Sequence, residues 1–484
     1  LKKPVHFNFI DFSTLTKREH FCREELRCNR AFAADLYLDV VPVVDTDTTV
    51  RLIRGAGGSE QVVEWAVMMR QFDPDQGLDR LLGRGELKAE MLRSFGATLA
   101  ALHEKLPRHA GSAAEVPIRV FGPVEDSFTE IGNTGLGERH RSLLADVIAS
   151  ARSIGSTLRK EFDARMVGGW IRECHGDLHL SNLALIGPAT EAEVTAFDCL
   201  EFNANLRWID TMSDVAFLFM DCRVRGEPGL AYGFLDGYLD ASGDYDGVRL
   251  LHYFAAYRSV VRAKVAALRW VQESDDATAE RFLEHLLWAR DWLNRPPGML
   301  VLTCGLSGSG KSYLAEKLAT AMPAVRLRSD VARKKLAGLV AGARSHSPID
   351  GGLYDTEQSD RTFAYLAELT QALLLAGENV IVDATFIERS RRTRFFDLAA
   401  ALGCRVRLIY CEAPLEVLRE RLQARAISAE DPSEATQAVL DLQLERLESP
   451  LPDERALHLD MAAPLTEPVI ADLIDVLGTD GRWK

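Results

Sequence analysis

The chain has 484 residues, 47% hydrophobic and 26% charged, and a formal net charge of −14, so its length predicts two or three domains and its acidity disfavours a polyanionic partner. No apolar run approaches the roughly 20 residues that cross a bilayer, and the first residues lack a secretory signal layout. The eight cysteines show no CxxC pair or zinc spacing, which is typical of buried thiols in a reducing compartment. We expect a cytoplasmic globular protein without a membrane partner.

The first hundred or so residues predict a lobe that combines strands with helices. Expected elements are a helix over 19–34, valine-rich strands over 38–44, 48–54 and 62–70, and an amphipathic helix over 87–106. Further helices are expected over 139–164, 211–220, 249–272 and 280–294. The chain opens at Leu1 with residues typical of the end of a strand, which predicts that N-terminal strands are missing from this numbering.

Residues 175–182, HGDLHLSN, form the first group of residues suited to chemistry. Two apolar segments follow, 183–186 and 194–197. Antiparallel pairing of these segments would bring Asn182 and Asp198 side by side, with Asp177 nearby. Phosphoryl transfer requires a carboxylate that orients the attacking hydroxyl and oxygen ligands that hold magnesium, and these three residues offer both.

This pattern resembles the catalytic loop of the aminoglycoside and choline phosphotransferases, relatives of the protein kinases, which reads H-G-D-x-H-x-x-N before a strand pair and a metal-binding Asp. The resemblance implies that Asp177 accepts the proton of the substrate hydroxyl, while Asn182 and Asp198 hold Mg²⁺ against the ATP phosphates. It also implies that Glu25 pairs with a strand lysine, for which Lys2 is the candidate. No glycine-rich nucleotide loop precedes that lysine, so a binding module without activity is an alternative.

Four further residues are expected to support this loop. His175 and His179 are interpreted as braces of the loop rather than ligands. Asp210 and Asp214 lie four apart at a predicted helix start, which predicts a helix cap and a buried partner for the loop's backbone amides, with exposed carboxylates as the alternative.

The segment Arg295-Pro296-Pro297-Gly298 is the clearest linker, because prolines end a helix and stiffen a short connection. We therefore predict two domains, 1–295 and 298–484.

Residues 305–312, GLSGSGKS, match the phosphate-binding loop G-x-x-x-x-G-K-[ST] between an apolar strand and a helical pattern. The three glycines allow the backbone to curl around a polyphosphate at a helix N-terminus. We expect Lys311 to reach the β- and γ-phosphates of ATP or GTP and the Ser312 hydroxyl to hold Mg²⁺. The residues expected to bind nucleotide here are Gly305, Gly308, Ser309, Gly310, Lys311 and Ser312.

The remaining strands and helices alternate, which predicts a parallel sheet covered on both faces. The element S-D-x-x-R at 329–333 resembles that of the polynucleotide kinase, zeta-toxin and gluconate kinase type, which implies that Asp330 is the general base and Arg333 binds an anionic group of the acceptor. A helix N-cap is the alternative for Asp330. Asp383 ends a buried strand at the ligand-binding edge and is expected to bind Mg²⁺ through water or to orient the acceptor. In the kinases that this part resembles, arginines of the corresponding helix close over the phosphates as a lid, which implies this role for Arg421 and Arg425, with solvated helix charge as the alternative.

The expected fold class is α/β and α+β, with a bilobal protein-kinase-like domain followed by a doubly wound P-loop kinase domain. The chain resembles bacterial fusions of these two domains. The first hypothesis is a bifunctional ATP-dependent kinase that phosphorylates hydroxyls of small, sugar-like or nucleotide-like molecules. The alternatives are a C-terminal kinase regulated by a weakly active N-terminal nucleotide-binding domain, and a nucleic-acid 5′-hydroxyl kinase.

Overall fold

The computed structural model describes residues 1–7, 10–45, 49–53, 61–188, 191–273, 275–339, 356–428 and 436–478. The chain divides into two compact units, each built from three separate segments. The first unit is Leu1–Met91, Ala101–Arg225 and Tyr253–Arg290, and the second is Leu92–Ala100, Gly226–His252 and Asp291–Lys484. In the part of the chain that the structure describes, no helix combines the length and apolar character that crossing a bilayer requires.

The described residues form eighteen α-helices. They are α1 Leu15–Ala33, α2 Leu78–Gly83, α3 Ala89–Lys105, α4 Gly122–Gly132, α5 Glu138–Thr157, α6 Arg159–Val167, α7 Thr211–Val224, α8 Pro228–Ser242, α9 Tyr245–Val248, α10 Leu251–Glu273, α11 Asp276–Leu293, α12 Lys311–Ala321, α13 Ser329–Leu336, α14 Thr356–Leu375, α15 Arg389–Ala401, α16 Leu415–Ser428, α17 Gln437–Arg446 and α18 Glu467–Gly478.

Fourteen strands accompany them in the same ranges. They are β1 His6–Phe7, β2 Ile10–Asp11, β3 Tyr37–Asp45, β4 Val50–Leu52, β5 Gln61–Met69, β6 Ile171–Glu173, β7 Leu183–Ile186, β8 Glu193–Ala196, β9 Trp208–Asp210, β10 Leu300–Cys304, β11 Ala324–Arg328, β12 Asn379–Asp383, β13 Val406–Glu412 and β14 Leu457–Asp460.

The first unit contains an antiparallel sheet in the order β4-β3-β5, as the valine-rich segments predict. Helix α1 begins four residues before its predicted start, because the Thr14 hydroxyl accepts a hydrogen bond from the Lys17 amide and caps the helix. Lys2 lies in an irregular segment before β1, so its placement in a strand is wrong.

The helix expected over 139–164 is also wrong in one respect, because two helices, α5 and α6, occupy that range. The break falls at Leu158. Just before it, the hydroxyls of Ser156 and Thr157 donate to the carbonyls of Ser153 and Ile154. Such local hydrogen bonds compete with the helical pattern.

The second unit contains a fully parallel sheet in the order β11-β12-β10-β13-β14, which confirms the predicted parallel architecture. Its central strand β10 is buried at every position, as a strand covered on both faces must be. Strand β14 was not predicted. Its four residues, LHLD, alternate between half-buried and exposed positions, and the strand lies at the edge of the sheet.

The predicted linker is closely packed in the second unit. Arg295 forms an ion pair with Glu378, and its guanidinium lies 3.4 Å from the centroid of the Trp292 ring. A Cβ atom at Gly298 would lie 1.9 Å from the Glu378 carbonyl oxygen, so only glycine fits there. The domain boundary at 295–298 stays a prediction.

Candidate functional site

The phosphate loop of the second unit requires its three glycines. Gly305, Gly308 and Gly310 have φ angles of 139°, 85° and 88°, which disfavour any other residue. A Cβ atom at Gly305 would lie 2.4 Å from the Cys411 carbonyl oxygen, and one at Gly308 would lie 2.9 Å from that of Leu418. The loop therefore follows the conformation that the sequence motif predicts.

Lys311 begins helix α12 and is almost fully buried inside the loop. Its Nζ donates a 2.6 Å hydrogen bond to the Leu306 carbonyl and lies 3.5 Å from Ser309 Oγ. Burial lowers the pKa of Lys311, while the nearby carboxylates of Asp383 and Asp330 oppose that change. An ammonium in this position could exchange the carbonyl for a phosphate oxygen.

Ser312 and Asp383 are in direct contact, because Ser312 Oγ donates a 3.1 Å hydrogen bond to Asp383 Oδ1. The other oxygen, Asp383 Oδ2, is buried and accepts no hydrogen bond from any described residue. Burial raises the pKa of Asp383, and the charges of Arg328 and Arg326 oppose the rise. A buried carboxylate oxygen without a donor, beside a serine hydroxyl, suits a hydrated Mg²⁺.

Asp330 lies in the first turn of α13, whose N-cap is Arg328, so the interpretation of Asp330 as an N-cap is wrong. Arg333 Nη1 donates a 2.7 Å hydrogen bond to Asp330 Oδ1. The parallel pairing of Arg328 with Asp383 places the start of α13 at the same sheet edge as the metal-binding candidate.

Arg421 of α16 reaches the phosphate loop. Its Nη1 donates a 3.4 Å hydrogen bond to the Gly308 carbonyl and its Nη2 a 2.7 Å bond to that of Met461. The side chain of Arg425 lies outside the described residues. A contact that the sequence did not indicate comes from Gln443, whose Oε1 accepts a 2.8 Å hydrogen bond from the Ser307 amide.

In the first unit, the HGDLHLSN loop leads into the predicted antiparallel pair, β7 and β8, in which Leu183 faces Ala196. The Phe197 amide extends the ladder with a 3.0 Å hydrogen bond to the Asn182 carbonyl. Asn182 and Asp198 therefore lie at the same end of the pair, as the spacing predicts.

Asp177 and Asn182 are in direct contact. Asn182 Nδ2 donates to the Asp177 carbonyl at 2.9 Å and to its Oδ2 at 3.1 Å, and His179 Nε2 lies 3.3 Å from the same Oδ2. Burial raises the pKa of Asp177, but the hydrogen bond and charge of His179 outweigh it and hold the pKa at about 2. Asp177 is thus ionised and ready to accept a hydrogen bond from a hydroxyl.

Asp198 has a positive φ angle of 62°, and its amide donates a 3.0 Å hydrogen bond to the Tyr37 hydroxyl. Burial raises the pKa of Asp198 to about 6, and the negative charges of Glu25, Glu201 and Asp177 raise it further. A cation held between Asp198 and Asn182 would offset this repulsion, so these two side chains fit a magnesium ion.

Lys2 and Glu25 pair as the resemblance implies, with Lys2 Nζ 2.7 Å from Glu25 Oε2. Lys2 also pairs with Glu201, which sequence reasoning missed. The only available signal was its position three residues after Asp198.

The predicted roles of Asp214 and Asp210 beside the HGD loop are confirmed. Asp214 accepts hydrogen bonds from the backbone amides of His175 at 3.1 Å and Gly176 at 2.9 Å. Asp210 accepts a 2.8 Å bond from the Met212 amide and caps α7. Arg258 of α10 adds a 3.1 Å hydrogen bond to the Gly176 carbonyl.

Within the described ranges, the only group of His, Cys and acidic side chains close enough to hold a metal is His103, Cys174 and Asp214, all buried. Both Asp214 oxygens already accept the two loop amides, and His103 Nε2 lies 3.3 Å from Asp214 Oδ2. These hydrogen bonds account for the group as a support of the loop.

Comparisons with known proteins agree with a kinase-like second unit. A family model described as an AAA domain matches residues 300–450. The adenylyl-sulfate kinase of Chloroflexus aurantiacus is 34% identical over 142 residues, which cover 28% of this chain and 68% of that enzyme. The solved structure of a gluconokinase from Sinorhizobium meliloti 1021 has 25% sequence identity and a TM-score of 0.28, covering 39% of this chain and 100% of the other.

The parallel sheet with its phosphate loop, the AAA domain match and the similarity to the adenylyl-sulfate kinase define a P-loop kinase-like domain in the C-terminal part of the chain, and support a phosphotransferase. The uncharacterized protein Rv2004c of Mycobacterium tuberculosis is 30% identical over 434 residues, which cover 88% of this chain and 82% of that protein. The chain belongs to the same family as this mycobacterial protein.

Proposed function

We propose that the protein is a bifunctional ATP-dependent kinase, with one phosphoryl-transfer site in each compact unit. The observation that carries this proposal is that each unit holds a carboxylate with a raised pKa close to a second oxygen ligand for magnesium, and that one oxygen of Asp383 accepts no hydrogen bond from a described residue. These pairs are Asp198 with Asn182 and Asp383 with Ser312. Bound magnesium would neutralise the phosphate charge at each site.

At the P-loop site, the glycine-rich loop and Lys311 hold the nucleotide phosphates, and Arg421 closes over them. Asp330 orients the acceptor hydroxyl and receives its proton. Arg333 now pairs with Asp330, and an anionic group on the acceptor would replace Asp330 as its partner, which frees the carboxylate for the hydroxyl. The similarity to an adenylyl-sulfate kinase supports a small, anionic, nucleotide-like acceptor.

At the site of the first unit, we propose that Asp177 orients the hydroxyl of a second small molecule, as in the phosphotransferases that the loop resembles. Lys2, paired with Glu25, would contact the nucleotide phosphates. The low pKa of Asp177, about 2, suits a carboxylate that positions a hydroxyl while a bound magnesium ion would lower the barrier electrostatically.

The test measures transfer of labelled γ-phosphate from ATP to separate pools of sugars, nucleosides and oligonucleotides. We expect Asp177→Asn and Asp330→Asn each to abolish transfer to a different acceptor and to leave the other reaction intact. Asp163→Asn and Asp360→Asn are matched controls, since both remove carboxylates at the surface.

Activity that depends on Asp330 and Lys311 but ignores Asp177 would overturn the bifunctional proposal and leave a P-loop kinase with a nucleotide-binding module. Transfer only to oligonucleotides would favour the nucleic-acid 5′-hydroxyl kinase.

A further inference from the structure

A cluster of buried charges connects helix α8 to the metal-binding candidate of the P-loop site. Strand β11 ends with Arg326 and Arg328, and Arg328 faces Asp383 of β12 in the parallel register. The Arg326 side chain is only 1% exposed, so its charge must be matched by carboxylates within the protein.

Those carboxylates come from α8, about ninety residues earlier in the chain. Asp236 accepts from Arg326 Nε at 2.8 Å and from Nη2 at 3.0 Å in a bidentate pair. Asp240, one helical turn further, accepts from Arg328 Nη1 with its two oxygens at 2.8 and 3.0 Å. Arg93 bridges the same two carboxylates at 3.0 and 3.1 Å.

Close packing fixes α8 in this position. A Cβ atom at Gly237 would lie 2.0 Å from the Arg93 carbonyl oxygen, and one at Gly96 would lie 2.3 Å from the Phe234 carbonyl oxygen. The two helical segments therefore approach at a distance that only glycine allows, which leaves Asp236 and Asp240 little freedom to move.

The positions of Arg326 and Arg328 determine which groups surround the Asp383 carboxylate. Arg326 Nη1 and Arg328 Nε both lie 3.7 Å from Asp383 Oδ2, and neither donates a hydrogen bond to it. Both guanidinium groups instead donate hydrogen bonds to α8, and Arg326 Nη1 also donates a 3.4 Å hydrogen bond to the Ser312 carbonyl. Without those contacts, either arginine could turn toward Asp383 and occupy Oδ2, because bidentate arginine–carboxylate pairs are strongly favoured.

We infer that Asp236 and Asp240 are positioning residues of the P-loop site, which hold Arg326 and Arg328 off Asp383 so that its Oδ2 remains available to the hydrated magnesium of the nucleotide. This inference rests on the proposed function, in which Asp383 contributes to metal binding. Helix α8 then supports metal binding at the P-loop site, although it is distant from the phosphate loop in sequence.

The test measures the affinity of the full-length protein for Mn²⁺ in the presence of ADP, by electron paramagnetic resonance of free Mn²⁺, and the affinity for ADP without metal. We expect Asp240→Asn to weaken Mn²⁺ binding by about 10-fold or more and to leave metal-free ADP binding unchanged. Asp246→Asn is the matched control, since Asp246 pairs with Lys335 at 2.7 Å elsewhere in the same unit, and it should leave Mn²⁺ affinity unchanged.

The double variant Asp240→Asn with Arg328→Gln distinguishes a positioning role of Asp240 from a general loss of stability. If the single variant folds poorly, the double variant also removes the Arg328 charge that Asp240 neutralised. We expect the double variant to recover most of the Mn²⁺ affinity, because the competing guanidinium is gone. Weak Mn²⁺ binding that persists in the double variant would overturn the inference.

The variant Asp383→Asn distinguishes failure of this inference from failure of the proposed metal site. If Asp383→Asn weakens Mn²⁺ binding and Asp240→Asn does not, the inference fails while the metal site stands. If Asp383→Asn leaves Mn²⁺ binding unchanged, the metal assignment of the proposed function fails, and the inference fails with it.

Discussion

Individual side chains in both units combine conformational restriction with unfavourable charge. Asp198 is the clearest example, since it adopts a left-handed backbone conformation among three other carboxylates, Glu25, Glu201 and Asp177. Groups whose charge or backbone conformation destabilises the unliganded protein, and which a bound ligand would stabilise, are typical of functional sites.

Asp198→Asn is expected to stabilise the metal-free protein while it abolishes transfer at the first site. The pKa of Asp198 rises from 3.8 to about 6 on folding, so its ionised form destabilises the folded protein above pH 6, and this cost is absent below about pH 4. The residue is exposed, so screening by solvent keeps the cost well below that of a buried carboxylate. Asparagine tolerates the positive φ angle and carries no charge. Chemical unfolding at pH 8 with EDTA measures the gain, and an unchanged or lower stability would contradict it.

Gly305→Ala is expected to destabilise the second unit and abolish nucleotide binding, because its Cβ atom would lie 2.4 Å from a backbone oxygen at a φ angle of 139°. Gly403→Ala is the matched control. Gly403 also has a positive φ angle, of 65°, but no atom lies within 4 Å of its Cβ position, so we expect a loss of only about 1 kcal/mol. Urea unfolding and ADP titration of the two variants test the difference.

At the scale of elements, two helices carry buried histidines whose neutral form supports packing. Burial lowers the pKa of His252 at the start of α10 and of His285 on α11 to about 4. His285 Nδ1 lies 3.2 Å from Ser259 Oγ, and His252 stacks on Trp292. Both helices therefore depend on these rings staying uncharged.

This arrangement predicts a loss of stability on mild acidification. The folded-state pKa of each histidine is depressed below the ordinary 6.5, so its contribution is fully present above pH 6.5 and is lost as the pH falls toward 4. The two shifts together amount to several kcal/mol. His285→Asn keeps a polar atom near Ser259 and is expected to reduce the pH dependence of the unfolding midpoint between pH 7 and 5, whereas an identical slope would contradict the assignment.

At the scale of the whole molecule, the second compact unit does not coincide with a continuous stretch of chain. The residues matched by the AAA domain model, 300–450, share a hydrophobic and ionic interior with α8 and with 92–100. Tyr232 of α8 hydrogen bonds to the buried Glu378, and the Tyr245 hydroxyl accepts a 2.9 Å bond from the Arg328 amide. The P-loop unit is therefore completed by segments from the first half.

A fragment of residues 298–484 is accordingly expected to be poorly soluble or unfolded, because it lacks the α8 carboxylates that pair with the buried Arg326 and the Arg295 guanidinium that pairs with the buried Glu378. Replacing Arg326 with Met in this fragment should improve its solubility, since the uncompensated charge is removed. Thermal unfolding and ADP titration compare the fragments with the full chain. A fragment that matches the full chain in both measurements would contradict this dependence.

The sequence by itself determined the features that neighbouring residues encode. The glycine spacing of 305–310 requires one loop conformation, the loop joins a buried strand to a helix, and short connections pair β7 with β8, so Asn182 and Asp198 are predicted to meet. Only the tertiary structure decided which distant charges pair in the interior, as Glu201 does with Lys2 and Asp236 with Arg326. The physical reason is that a buried charge requires a partner but accepts any carboxylate that packing brings to it, so the partner depends on the fold rather than on spacing along the chain.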